Sequence, residues 1–105
     1  KAVNYIRRQY RRRLTLEDTA AYIHLSPMYF SRIFKEDVGV NFVAYVNKVR
    51  VEAAGALLIN GDLPIADISA MVGFEGQSYF TKVFRKVKGV TPGAYRKNRG
   101  QTPRK

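Results

Sequence analysis

Gly73-Phe-Glu-Gly-Gln-Ser-Tyr-Phe-Thr-Lys-Val-Phe-Arg-Lys-Val-Lys-Gly-Val-Thr-Pro92 is the stretch on which the reading of this 105-residue chain turns. From Gln77 to Lys88 the apolar residues fall at Phe80, Val83, Phe84 and Val87. Spacings of three, one and three place them in one stripe of an amphipathic helix. The other side carries Ser78, Thr81, Lys82, Arg85 and Lys86. Small hydroxyls and cations are the groups that meet base edges and phosphates. For one helix alone a plain solvated face explains them as well. Gly89 ends the helix where a residue tolerant of positive φ is wanted.

The same message occurs twice. Tyr29, Phe30, Phe34, Gly39, Val40, Ala44 and Tyr45 recur fifty positions later as Tyr79, Phe80, Phe84, Gly89, Val90, Ala94 and Tyr95. Upstream the offset falls to forty-nine, pairing Leu16 with Ile65, Asp18 with Asp67, Ala21 with Ala70 and Leu25 with Phe74. The second copy therefore carries one extra residue in its turn, within Glu75 to Ser78. One supersecondary unit is used twice, and two copies are too few for a solenoid. A two-lobed, all-α domain follows.

The net charge of +11 and the pI near 10.3 point to an anionic partner, nucleic acid before membrane. All eight acidic residues lie between Glu17 and Glu75, whereas nine Lys or Arg and no acid follow Gly76. Zero cysteines exclude disulfides and thiolate metal sites and fit the cytoplasm. No apolar run approaches a membrane span, and no signal peptide is visible. The opening at Lys1 rather than Met reads as a fragment of a longer protein.

In chain order, the first helix is expected over Ala2 to Arg13, where Arg7, Arg8, Arg11, Arg12 and Arg13 read either as a phosphate clamp or as a solvated face, the second favoured because they surround the helix rather than line one side. Thr15 caps Leu16 to Ile23. Ser26 caps and Pro27 starts the next helix, which runs to Val38 and buries Phe30, Ile33, Phe34 and Val38. Asn41 caps a long helix to about Ile59, with the stripe Phe42, Tyr45, Val46, Val49, Ala53, Ala56 and Leu57. Gly55 inside it reads as a defect of about 1 kcal/mol against Ala, so Gly55→Ala is expected to stabilise. Pro64 opens the second unit, which buries Ile65, Ile68, Val72 and Phe74 with Met71 nearby. Thr91 caps a short last helix, and Arg99 to Lys105 is expected to be a basic, disordered tail. The domain is thus bounded at 1–98, with lobe one at about 1–40, the linker helix at about 42–60, lobe two at about 64–98 and the tail at 99–105.

Enzyme chemistry finds little footing. The single His24 stands in a turn, and there is no Cys nucleophile, no phosphate-cradling glycine loop and no carboxylate cluster. No catalytic residue, cofactor or metal is expected. Phe30, Phe34, Phe80 and Phe84 at helical spacing read as core rather than as stacking platforms for single strands.

Ser26-Pro27-Met28-Tyr29-Phe30-Ser31-Arg32-Ile33-Phe34-Lys35, Asn41 to Ala54, Asp67 to Phe74, Gln77 to Arg85 and Gly89 to Arg96 together resemble the AraC/XylS-type transcription regulators. The resemblance covers about Val3 to Lys97. It implies seven helices in two helix-turn-helix lobes joined by a long linker helix, and sequence-specific binding of double-stranded DNA as a regulator's output domain. It implies as further partners RNA polymerase and an effector or receiver domain in the full-length protein, with no membrane. By the resemblance Pro27, Met28, Ser31 and Arg32 are the base-reading positions of the first lobe, and Gln77, Ser78, Thr81 and Lys82 those of the second. Arg32 suits guanine and Gln77 suits adenine, while Lys35, Arg85 and Lys86 fall at phosphate positions. Gly55, and His24 where a glycine is common, depart from the family pattern. The alternative is a sequence-independent structural nucleic-acid-binding protein. That protein would carry Lys and Arg where this chain has Met28, Ser31, Gln77, Ser78 and Thr81.

Overall fold

The computed structural model describes residues 1–99, and among them there are seven helices and no strand. They are α1 (Ala2–Gln9), α2 (Leu16–Tyr22), α3 (Pro27–Val38), α4 (Phe42–Asn60), α5 (Ile65–Met71), α6 (Gln77–Lys88) and α7 (Pro92–Lys97). Of the tail, residues 100–105 lie outside the described residues. The all-α architecture of two helix-turn-helix units connected by one long helix is as expected.

Short polar side chains mark the helix starts. Thr15 accepts the Asp18 N–H at 3.0 Å, Ser26 the Tyr29 N–H at 3.3 Å, Asn41 the Ala44 N–H at 2.8 Å and Thr91 the Ala94 N–H at 3.2 Å. Gly39 (φ 94°) and Gly89 (φ 82°) end α3 and α6 in the left-handed region. Their N–H groups bond the carbonyls of Lys35 and Arg85. α1 stops at Gln9, four residues before the expected end at Arg13. Past Tyr10 come only Arg11, Arg12 and Arg13, which give a further turn nothing apolar to bury.

The chain forms two compact units, one from Lys1 to Val49 and one from Arg50 onward. The first is built on Ile6, Ala20, Phe30, Phe34, Phe42, Val46 and Val49. Phe30, Phe34 and Phe42 meet pairwise with ring centroids 5.5, 5.9 and 5.8 Å apart. The second buries Val51, Ala54, Leu58, Ile68, Val72, Phe74, Phe80, Val83, Phe84 and Tyr95. Its rings run in a chain: Phe74 to Phe80 at 5.1 Å, Phe80 to Phe84 at 5.6 Å and Phe84 to Tyr95 at 5.2 Å.

The sequence-based stripe of α4 holds for Phe42, Val46 and Val49 and then fails. Beyond Val49 the buried positions are Val51, Ala54, Gly55 and Leu58, while Ala56 is exposed and Ala53 and Leu57 are only partly covered. A step of two residues turns a helix by about 200°, so Val51 does not continue the stripe ending at Val49. Because the halves of α4 belong to different units, each half follows the core of its own unit, and no single periodicity spans both. Met71 and Val87, expected on or near buried faces, are 48% and 41% exposed. Each lies in the last turn of its helix, past the buried residues of that helix, Ile68 and Ser69 in α5 and Phe80, Val83 and Phe84 in α6.

Gly55 has a reason that the sequence does not show. A Cβ built there would lie 3.3 Å from both Cε2 and the hydroxyl oxygen of Tyr95. Tyr95 is itself confined, edge-on to Phe84 and 5.6 Å from the Lys88 ammonium. This contact argues against the expected stabilisation by Gly55→Ala: with the Tyr95 ring held in place, overpacking of about 1–3 kcal/mol outweighs a helix-propensity gain of about 1 kcal/mol. Gly55→Ala should lower stability by about 1 kcal/mol in urea unfolding. A variant as stable as the parent would show that the Tyr95 ring moves aside.

Candidate nucleic-acid interface

In the first unit, α2 packs on α3 through a turn closed by backbone bonds. The His24 N–H donates to the Ala21 carbonyl and the Leu25 N–H to the Ala20 carbonyl, at 3.1 and 2.9 Å. Thr19, fully buried, donates its hydroxyl to the Thr15 carbonyl at 3.0 Å. Phe30 and Phe34 hold one side of α3 in the core, which fixes what the other side presents. Pro27, Met28, Ser31, Arg32 and Lys35 are all exposed and together line an open groove with Leu16 and Glu36. Met28 is 85% exposed. The Arg32 guanidinium lies over the Tyr29 ring, 5.4 Å from its centroid. That stacking narrows the side chain's rotamers while leaving its donors outward.

The second unit repeats the design. The Gly73 N–H donates to the Ala70 carbonyl and the Phe74 N–H to the Ser69 carbonyl, at 3.1 and 3.0 Å. α6 buries Phe80, Val83 and Phe84. Gln77, Ser78, Lys82, Arg85 and Lys86 stand exposed, and Thr81 is half-buried rather than fully outward. At helical spacing Gln77, Ser78, Lys82 and Lys86 can share one ligand.

Sequence alone could not sort the remaining cations. Lys88 forms an ion pair with Glu52 at 3.1 Å and stands over the Tyr95 ring. Arg96 donates to the carbonyls of Leu58 and Leu63 at 3.2 and 2.7 Å, closing the C-terminal end of α4. Their partners lie more than thirty positions away, so no local signal marked them as structural. On α1, Arg8 donates to the Tyr22 hydroxyl at 3.3 Å, beside the stacked rings of Tyr5 and Tyr22. Arg50 is half-buried, its guanidinium 5.7 Å from the Phe74 centroid. Burial pulls its pKa below the ordinary arginine value, while the Glu75 carboxylate and then Tyr79 favour its charged form. Among the described residues no group of His, Asp or Glu is placed to hold a metal ion, and no helix is long and apolar enough to cross a membrane.

The family model described as a helix-turn-helix domain matches residues 19–98. The chain belongs to the AraC-type helix-turn-helix family of transcription regulators. It is 47% identical over 96 residues to the regulatory protein PocR of Salmonella typhimurium, covering 91% of this chain and 32% of PocR. It spans less than half the length of the curated relatives it matches. Among solved structures it resembles the C-terminal domain of AraT, a response regulator from Geobacillus stearothermophilus. That match has a TM-score of 0.90 and 38% identity over 96% of this chain and 84% of the other. It also resembles the DNA-binding domain of the global transcriptional factor AdpA, solved with a target DNA. There the TM-score is 0.88 with 25% identity over 92% of this chain and 87% of the other.

His24 adopts φ 63°, and Gly73, its counterpart forty-nine residues on, φ 104°. Left-handed backbone costs a residue with a Cβ about 1–2 kcal/mol, less for His than for bulkier types. His24→Gly gives back about 0.5–1 kcal/mol of that through unfolded-state entropy. The substitution should therefore raise stability by about 0.5–1 kcal/mol, and Gly73→Ala should lower it. Urea midpoints of both variants check this, and a loss on His24→Gly would mean that the imidazole holds the turn.

Proposed function

We propose that this chain is the sequence-specific DNA-binding output domain of a transcription regulator, with α3 and α6 as its reading helices. The observation that carries this reading is the mixed chemistry on the two exposed helix faces. Met28, Ser31 and Arg32 on α3, and Gln77, Ser78 and Lys82 on α6, are exposed on helices whose opposite sides are locked by phenylalanines. Cations suffice for backbone phosphates, whereas an apolar contact with a thymine methyl and bidentate bonds from a guanidinium or an amide discriminate bases. Thr81 and Pro27 complete the reading sets, and Lys35, Arg85 and Lys86, farther along each helix, bind phosphates.

Each reading helix enters a major groove with its first turns toward the bases. Two reading helices in one chain call for two groove segments, and successive major grooves are the targets in this reading. In this reading the chain binds and does not catalyse, and it acts in the cytoplasm. A sensing or receiver domain elsewhere in the whole protein and RNA polymerase complete its partners. The known complex of AdpA with its target DNA supports the DNA-binding part of the reading.

Selection of bound sites from random duplex DNA should return one preferred site with two elements. Affinity should fall linearly on a log–log plot against salt as counterions are released. Arg32→Ala should cost about 1–3 kcal/mol on the selected site and relax a single base position. Equal binding of all sequences, with every variant weakening them uniformly, would favour the sequence-independent coat protein instead.

A further inference from the structure

The two reading helices start differently. α3 begins immediately after Leu25 and Ser26, with the Ser26 hydroxyl accepting the Tyr29 N–H at 3.3 Å. Phe74, the counterpart of Leu25, is followed by Glu75 and Gly76 before α6 begins. Glu75 is therefore the extra residue of the second copy. Gly76, at the N-cap, supplies no side-chain cap, and a Cβ there would meet nothing within 4 Å. Neither capping nor packing at Gly76 holds the first turn of α6, although Gln77 and Ser78 project from that turn.

Arg50 borders this turn from α4. Its guanidinium lies over Phe74, and the Phe74 ring touches both Phe80 at 5.1 Å and Tyr79 at 6.0 Å on α6. A half-buried guanidinium stays charged at neutral pH and needs an anionic or polar partner. Glu75 and Tyr79, just before and just inside the N-terminus of α6, both favour the charged form of Arg50. The first copy has no acid in the corresponding turn, where Leu25 runs directly into Ser26.

We propose that Arg50 is a positioning residue for the second reading helix: stacked on Phe74 and facing Glu75, it fixes the lengthened turn and thereby aims Gln77 and Ser78. Arg50 then shapes the sequence preference of the second unit without itself reading a base. The proposal rests on α6 being a base-reading helix. It adds that the inserted Glu75 is the anchor that replaces the missing cap.

The test uses the 105-residue chain with the variants Arg50→Met, Arg50→Lys, Glu75→Gln and Arg50→Met/Glu75→Gln. In the free protein, amide hydrogen exchange at Phe80, whose N–H closes the first turn of α6 on the Gly76 carbonyl, should quicken about tenfold in Arg50→Met and Glu75→Gln, with the bonded Tyr29 and Phe30 amides of α3 unchanged. On the duplex recovered by site selection, both variants should lose base preference about three- to tenfold in one half-element and keep it in the other. The double variant should be no worse than the stronger single one, because removing either partner already breaks the pair. Arg50→Lys keeps the charge but not the planar stacking and should fall between. Unchanged exchange and preference, additive losses, or equal losses in both half-elements each overturn the proposal. Should Arg50→Met not fold, Glu75→Gln decides alone, since that carboxylate is exposed. If the wild type shows no site preference, the reading of α6 fails, while the exchange arm still reports whether Arg50 holds the turn.

Discussion

Ring packing behind the two reading helices is the constraint on which the rest depends. A unit of about fifty residues buries only about 60% of the surface its unfolded chain exposes, so a few large side chains must do most of the anchoring. Phe30, Phe34 and Phe42 do so in the first unit, and Phe74, Phe80, Phe84 and Tyr95 in the second. Each such side chain contributes roughly 1.5–3 kcal/mol by burial alone. Tilted and edge-on ring contacts also set the rotation of α3 and α6 about their own axes. That rotation is what turns Ser31 and Arg32, or Ser78 and Lys82, outward together. The functional face is thus a consequence of the core face, and a misplaced phenylalanine would redirect the polar side chains of its helix together.

The turns add a second level of control. Each places one residue in the left-handed region, His24 in one unit and Gly73 in the other, and each returns the next N–H to a carbonyl five residues back. These bonds fix how the first helix of a pair leads into the second. Here the two units diverge in sequence while agreeing in conformation, since an imidazole residue tolerates at some cost what glycine adopts freely. Gly55 shows the opposite situation. Its φ is ordinary helix, and its lack of a side chain answers a spatial demand, the approach of the Tyr95 ring.

The same separation applies to charge. A net charge of +11 is a property of the whole chain, but only some cations are available to an anionic ligand. Lys88 is held by Glu52, and Arg96 by two carbonyls at the end of α4. Arg85, Lys86 and Lys35 stand exposed. Exposed surface charge is screened and contributes little to folding, so those side chains remain free to serve binding.

The number of helices, four of their caps, both glycine stops, the duplication and its one-residue insertion are all legible in the amino-acid order. These are local or periodic signals: a hydroxyl bonds an N–H three residues away, and an apolar stripe repeats every three to four. The order also determined the outward sides of α3 and α6, because Phe30, Phe34, Phe80 and Phe84 declare the inward ones. Where α1 ends, how α4 changes its buried positions after Val49, what stands against residue 55 and which cations are structural emerge only on folding. Folding also brought Arg50 to the turn holding Glu75. Each of these depends on side chains that meet across tens of residues, and the meeting is created by packing, which no local spacing encodes.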